Sequence, residues 1–169
     1  LEERVASLEG GRGAVAAATG HAAQLLAFFT LMEPGDEIVA SRSLYGGSIT
    51  QFTHTFPKLG WKGHLVDPRD PRNFAAALTP RCKAIFIENL ANPGGIITDM
   101  EAVAAIARKA KIPLMVDNTL ASPYLCRPFE HGADIVVHAL TKYLGGHGNS
   151  IGGVIVDSGK FPWASHKER

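Results

Sequence analysis

The sequence predicts an α/β fold of three layers, a mostly parallel sheet flanked by helices. Short apolar runs recur at residues 14–18, 37–40, 64–66, 84–87, 114–116, 135–137 and 153–156. Most are continuous, not alternating, which is the pattern of strands buried on both faces. Helical spacing lies between several of them, and strand–helix alternation implies right-handed crossovers. A third observation concerns the residues just past each run, where most of the polar chemistry gathers.

The elements follow in chain order. Leu1, Val5 and Leu8 have helical spacing, and Gly10-Gly11 stops that helix. After the first strand, Leu25, Leu26, Phe29 and Met32 line one face of a helix opening near Gly20. After the second, Ile49, Phe52 and Phe56 line another. Met100, Val103, Ile106 and Ala110 mark the clearest helix. Thr98-Asp-Met-Glu101 reads as its capping box, and Arg108, Lys109 and Lys111 complement its C-terminal end. The apolar runs 114–116 and 135–137, ending just before Asp117 and His138, supply the next two strands. The glycine-rich turn Gly145 to Ser150 leads into the last one.

Composition narrows the function. The chain has 169 residues, 46% hydrophobic and 20% charged, enough for one globular domain with a real core. The net charge of +1, without charge blocks, gives no reason to expect nucleic acid or an anionic membrane as partner. No apolar stretch approaches the roughly 20 residues of a membrane span. Cys82 and Cys126 form neither a disulfide framework nor a metal pair, so reduced thiols in the cytoplasm are expected. The seven histidines are scattered, and no metal site is expected. Residue 1 is Leu and the chain closes on a polar tail from Ser165 to Arg169. A piece of a longer protein is expected.

In sheets of this kind ligands bind outside the carboxyl ends of the strands. Ala18-Thr19-Gly20-His21 joins a strand to a helix, where free N–H groups and glycine suit an anion such as phosphate. Asp117 follows one apolar run and Lys142 follows the next. A carboxylate can keep a pyridine nitrogen protonated, and a protonated ring is an electron sink. An aspartate at a strand end serves equally to order its loop. A lysine amine can hold a cofactor aldehyde as a Schiff base. An exposed lysine titrates near ~10.4, and a strand-end pocket would lower that by desolvation. Tyr45 in Leu44-Tyr45-Gly46-Gly47 can stack on such a ring and move a proton, or belong to the core. Pyridoxal 5′-phosphate (PLP) is the cofactor these residues suggest.

Taken together the segments resemble the Cys/Met-metabolism family of PLP enzymes, which includes the cystathionine synthases and lyases. The likeness rests on Leu8-Glu9-Gly10-Gly11, Thr19-Gly20-His21, Leu44-Tyr45-Gly46-Gly47, Asn92-Pro93 and Val116-Asp117-Asn118-Thr119. It continues through Ser122-Pro123-Tyr124-Leu125, Arg127-Pro128, Gly132 to His138 and Thr141-Lys142-Tyr143-Leu144-Gly145-Gly146-His147. Residues 146 to 161 most resemble O-acetylhomoserine sulfhydrylases. The resemblance implies an aspartate-aminotransferase-like large domain (fold type I) over residues 1–169, with the family's N-terminal arm and C-terminal small domain absent. It implies that Lys142 holds PLP, Asp117 binds the ring nitrogen, Tyr45 stacks on the ring and Asn92 meets the 3-hydroxyl oxygen. Gly20 and His21 N–H groups, with the Thr141 hydroxyl, would hold the phosphate. Lys142 and Tyr45 would be catalytic.

Implied too is γ-replacement on O-acetylhomoserine by sulfide or a thiol, giving homocysteine or methionine plus acetate. A homo-oligomer, dimer or tetramer, is implied for the full-length protein. A cystathionine γ-synthase or γ-lyase, or an inactive PLP-binding or assembly fragment, are the alternatives. The chain departs from the family pattern at Ala139, where relatives carry serine, at His21 and at Asn149.

Overall fold

The computed structural model describes residues 1–166, so the end of the polar tail, residues 167–169, lies outside the described residues. Seven strands form one sheet: β1 (Gly13–Ala17), β2 (Glu37–Ser41), β3 (Lys62–Val66), β4 (Cys82–Glu88), β5 (Leu114–Asp117), β6 (Ile135–Ala139) and β7 (Gly153–Asp157). Their order is β1-β7-β6-β5-β4-β2-β3. β2 pairs in parallel with β3 and β4, β4 with β5, and β5 with β6. Only β7 runs against its neighbours, between β1 and β6. Each of the seven apolar runs is a strand, and the sheet is mostly parallel as expected.

The continuous apolar character of the central strands has a direct cause. Successive side chains point to opposite faces, so a strand covered on both sides needs apolar residues at every position. Ile85, Ile87, Leu114, Val116 and Val136 join the core on one face, with Val103, Ala104 and Ala107 of a helix. Ala84, Phe86, Met115 and Val137 join the core on the other. There Phe28, Phe52, Phe56 and Phe86 form an aromatic cluster. Pairs such as Phe52–Phe56 and Phe28–Phe56 lie 5.0 and 5.2 Å apart by ring centroid. Tilted and edge-on pairs of this kind add about 0.5–1.5 kcal/mol each beyond burial.

The helices are α1 (Glu2–Glu9), α2 (Gly20–Phe29), α3 (Gly46–Thr50), α4 (Phe56–Lys58), α5 (Arg72–Ala77), α6 (Met100–Ala110), α7 (Ser122–Leu125) and α8 (Trp163–His166). A π-helical turn, Gln51–Thr55, joins α3 to α4, and Phe52 in the turn and Phe56 at the start of α4 are fully buried. The Thr53 hydroxyl donates to the Ile49 carbonyl at 2.8 Å, competing with the regular helical ladder. Gly10 ends α1 at φ 74°, a left-handed cap that glycine adopts without strain.

Three expectations change. In α1 the buried face is Val5, Ala6 and Glu9, while Leu1 and Leu8 are exposed. In α2 the buried face is Ala23, Gln24, Ala27 and Phe28, while Leu26 and Phe29 are exposed. That helix is apolar nearly all round, so spacing does not choose a face. Close approach to the sheet selects the small residues Ala23 and Ala27. In α6 the N-cap is Asp99, whose carboxylate accepts from Ala102 N–H at 3.0 Å, a contact of about 1 kcal/mol. Thr98 instead turns inward and donates to the Glu88 carbonyl at 3.4 Å, and Glu101 meets His131 at 3.0 Å. The capping box is therefore not formed.

Candidate functional site

The carboxyl ends of β4, β5 and β6 converge on one crevice. Glu88, the last residue of β4, stands in register with Asp117, the last of β5, and Asp117 with Val137 of β6. The N-terminus of α2 closes the crevice from the side. It sits so tightly on the sheet that a Cβ at Gly20 would lie 2.7 Å from the Ala139 Cβ. At Gly153 a Cβ would lie 2.0 Å from the Thr19 carbonyl oxygen. Both glycines are thus required by close approach. Thr19 caps α2, its hydroxyl accepting from Ala22 N–H at 3.0 Å. The Gly20 and His21 N–H groups lie in the first turn, where helix geometry supplies no partner.

Between these ends lies a cavity of about 230 Å³. All seven residues singled out in the sequence line it: Gly20, His21, Tyr45, Asn92, Asp117, Thr141 and Lys142. A larger hollow of about 930 Å³ lies between α6, the 3-10 turn Pro128–His131 and residues 160–162, and holds none of them. Its charged lining mixes Arg108, Lys111 and Lys160 with Glu101, Glu130 and Asp134.

Asp117 accepts from Thr119 twice, from the hydroxyl at 2.5 Å and from the N–H at 2.9 Å. Burial pushes its carboxyl above the usual carboxylate range. The Thr119 bonds and the neighbouring His138 and His21 act in the opposite direction. The Thr119 hydroxyl also accepts from Ala139 N–H at 2.9 Å, which ties the β5 end to the β6 end. No ion pair reaches Asp117 among the described residues. The carboxylate is therefore set in place by hydroxyl and amide donors.

Tyr45 is 51% exposed and its ring stacks on that of His21, with centroids 5.6 Å apart and planes at 25°. Gly47 makes room, since a Cβ there would lie 2.2 Å from the His21 ring. The Thr141 hydroxyl accepts from Gly152 N–H at 3.2 Å and faces its carbonyl at 3.4 Å, holding the turn after β6 to the start of β7. Lys142 stands exposed at the rim. The desolvation expected of a strand-end lysine is thus not supplied by the described residues. Asn92 is also exposed, its N–H donating to Glu88 at 3.0 Å.

Two features were given no role by the sequence reading. Glu88 lines the cavity and is 6% exposed. Its only signal was a position at the end of an apolar strand. Behind Asp117 lies a buried polar chain. The Glu9 carboxylate meets His138 Nε2 at 2.5 Å and accepts from Asn118 Nδ2 at 2.8 Å. Asn118 also donates to the Cys126 carbonyl at 2.9 Å and accepts from Asn89 at 2.6 Å. Glu9 is 1% exposed, and His138 and Asn118 are fully buried. The chain links α1 to the ends of β4, β5 and β6 and so fixes the floor of the site.

Among the described residues no group of three His, Cys, Asp or Glu is arranged to hold a metal ion, and no helix is long and apolar enough to cross a membrane.

Comparison with known proteins bears on this geometry. The family model described as Cys/Met metabolism PLP-dependent enzyme matches residues 1–169. An O-acetyl-L-homoserine sulfhydrylase of Leptospira meyeri is 53% identical over 167 residues, 99% of this chain and 38% of that protein. A homocysteine/cysteine synthase of Saccharomyces cerevisiae is 47% identical over 170 residues, 100% of this chain and 38% of that protein. The chain thus spans about two fifths of the length of these relatives. Among solved structures, a Campylobacter jejuni protein crystallised with N′-pyridoxyl-lysine-5′-monophosphate superposes with a TM-score of 0.93. It is 37% identical, over 95% of this chain and 40% of that one. The O-acetylhomoserine sulfhydrylase of Wolinella succinogenes gives a TM-score of 0.89 at 35% identity, over 97% of this chain and 47% of that one. The sheet is that of fold type I PLP enzymes. With a family match along its whole length and relatives about half identical to it, the chain belongs to the Cys/Met-metabolism family of PLP-dependent enzymes.

Proposed function

We propose that this chain is the cofactor-binding large-domain part of an enzyme that replaces the γ-acetoxy group of O-acetylhomoserine. Sulfide or a thiol is the incoming group, and homocysteine or methionine and acetate are the products. The observation that carries the reading is the meeting of Lys142 and Asp117, from the ends of neighbouring strands, in one cavity of about 230 Å³. The names of the relatives point to the same reaction.

The residues fit a pyridine ring bearing an aldehyde and a phosphate. An amine stands at an open rim. A carboxylate held by Thr119 lies in the cavity wall, where a ring N–H⁺ would compensate its burial. The first turn of α2 offers N–H groups and the positive end of a helix dipole to an anion. When bound, the cofactor supplies an electron sink for negative charge developing at a substrate carbon.

The chain's own residues divide the remaining work. Lys142 would hold the cofactor through its amine and would move the proton on the substrate α-carbon. Asp117 keeps the ring nitrogen protonated, and Thr119 holds Asp117 in place. Tyr45 covers a ring face and shares proton transfer with Lys142 as acetate leaves. Asn92 meets the ring's 3-hydroxyl oxygen. Gly20, His21 and Thr141 would hold the phosphate.

The same reading makes the longer enzyme a cytoplasmic homo-oligomer. The exposed apolar side chains Val15, Leu26 and Phe29 support an interface, and the free thiols of Cys82 and Cys126 support a reducing compartment. The longer protein containing this chain, purified with PLP, is to be given O-acetylhomoserine and sulfide. Homocysteine and acetate in equal amounts are expected. Cystathionine formed from added cysteine in place of homocysteine, or sulfide-independent γ-elimination, would overturn the assignment.

A further inference from the structure

Glu88 carries none of the roles above, yet both of its oxygens are committed. Oε1 accepts from Tyr45 N–H at 2.7 Å, and Oε2 accepts from Asn92 N–H at 3.0 Å. Tyr45 opens α3 and Asn92 lies in the turn after β4. The two segments come from separate crossovers and meet on one buried side chain at the sheet edge. We infer that Glu88 is the positioning residue of the site, a single carboxylate that clamps the Tyr45 loop and the Asn92 turn to the cavity rim and does so only while ionised. The inference rests on reading Tyr45 and Asn92 as cofactor contacts.

The requirement for charge follows from donor counting. A carboxylate accepts at both oxygens, whereas a carboxylic acid or a primary amide presents a donor at one of them. Against two fixed N–H groups, protonation and Glu88→Gln therefore remove the same half of the clamp.

The surroundings put the change in an accessible range. Burial raises the carboxyl most. The nearby Asp117 raises it further, the two N–H bonds lower it, and the balance is about 7. The other titratable groups lining the cavity are His21 on α2, Tyr45 before α3 and Lys142 after β6.

The test is amide hydrogen exchange at Tyr45 and Asn92 in the full chain from pH 5.5 to 8.5, corrected for the intrinsic pH dependence of exchange. The expected result is protection that rises about tenfold across a midpoint near 7. In Glu88→Gln the profile is flat and low, while Ile85 and Ile87 in β4 keep their protection. Borohydride-trapped PLP on Lys142 is expected in both proteins, with PLP bound about tenfold more weakly by the variant. If the variant does not fold, the wild-type profile decides alone. Protection at Tyr45 and Asn92 that is independent of pH in a chain that binds PLP would overturn the clamp and leave the cofactor reading intact. A step near 7 in a chain that takes up no PLP would uphold the clamp and overturn the cofactor reading.

Discussion

A carboxylate placed in the wall of a cavity makes the stability of this chain depend on pH in a direction opposite to that of most acidic groups. Glu88 titrates at about 7 in the fold, against 4.5 for an ordinary glutamate, because burial outweighs its two N–H contacts. Between those values the folded chain keeps a proton that the unfolded chain has released. Stability then falls as pH rises, since the unfolded state binds fewer protons. At about 1.4 kcal/mol per unit, the interval from 4.5 to about 7 amounts to on the order of 3 kcal/mol. The contribution is fully present below 4.5 and gone above about 7. Glu88→Gln removes the titration. Urea unfolding of wild type and variant at pH 4.5, 6 and 8 isolates the effect, because groups shared by both proteins cancel. The variant is expected to gain on the order of 3 kcal/mol relative to wild type from pH 4.5 to 8. A difference that is constant with pH, or one that moves against the variant as pH rises, would refute the reasoning.

Further outcomes follow from the same structure. Glu9→Met leaves buried His138 without its hydrogen-bond partner and buried Asn118 with one fewer, and a loss of about 1–3 kcal/mol is expected in urea unfolding. Gly20→Ala drives a methyl into Ala139, and a loss of about 1–3 kcal/mol is expected. Weaker PLP uptake, read by absorbance titration, should accompany it because the first turn of α2 is displaced. Asp99→Ala removes the α6 cap, and thermal unfolding should report about 1 kcal/mol.

The sheet was legible because two-sided burial leaves continuous apolar runs, and every such run became a strand. The seven proposed positions line one cavity because strand ends in a parallel sheet gather on one edge, although Asn92 was named from the family resemblance and not from its place in the chain. Helix faces were less legible where composition gave no contrast. In α2 nearly every residue is apolar, and the choice of Ala23 and Ala27 over Leu26 and Phe29 is made by the sheet, not by spacing. The α6 cap was misread because Thr98 and Asp99 are both competent caps, and a tertiary partner, the Glu88 carbonyl, claims Thr98. Glu9 stood in the sequence only as part of the motif Leu8-Glu9-Gly10-Gly11, and His138 as a residue at the end of an apolar run. Their 2.5 Å contact joins residues 129 apart, which no local pattern contains. Glu88 stood among the residues just past the apolar runs without a role, since its partner Tyr45 lies 43 residues away.

The account depends most on the amine at the rim of the cavity. The direct measurement is borohydride reduction of the PLP-treated chain, followed by peptide mass mapping of wild type and Lys142→Ala. The expected result is a single pyridoxyl adduct, on Lys142, absent from the variant. An adduct on another lysine, or equal labelling of the variant, would contradict it.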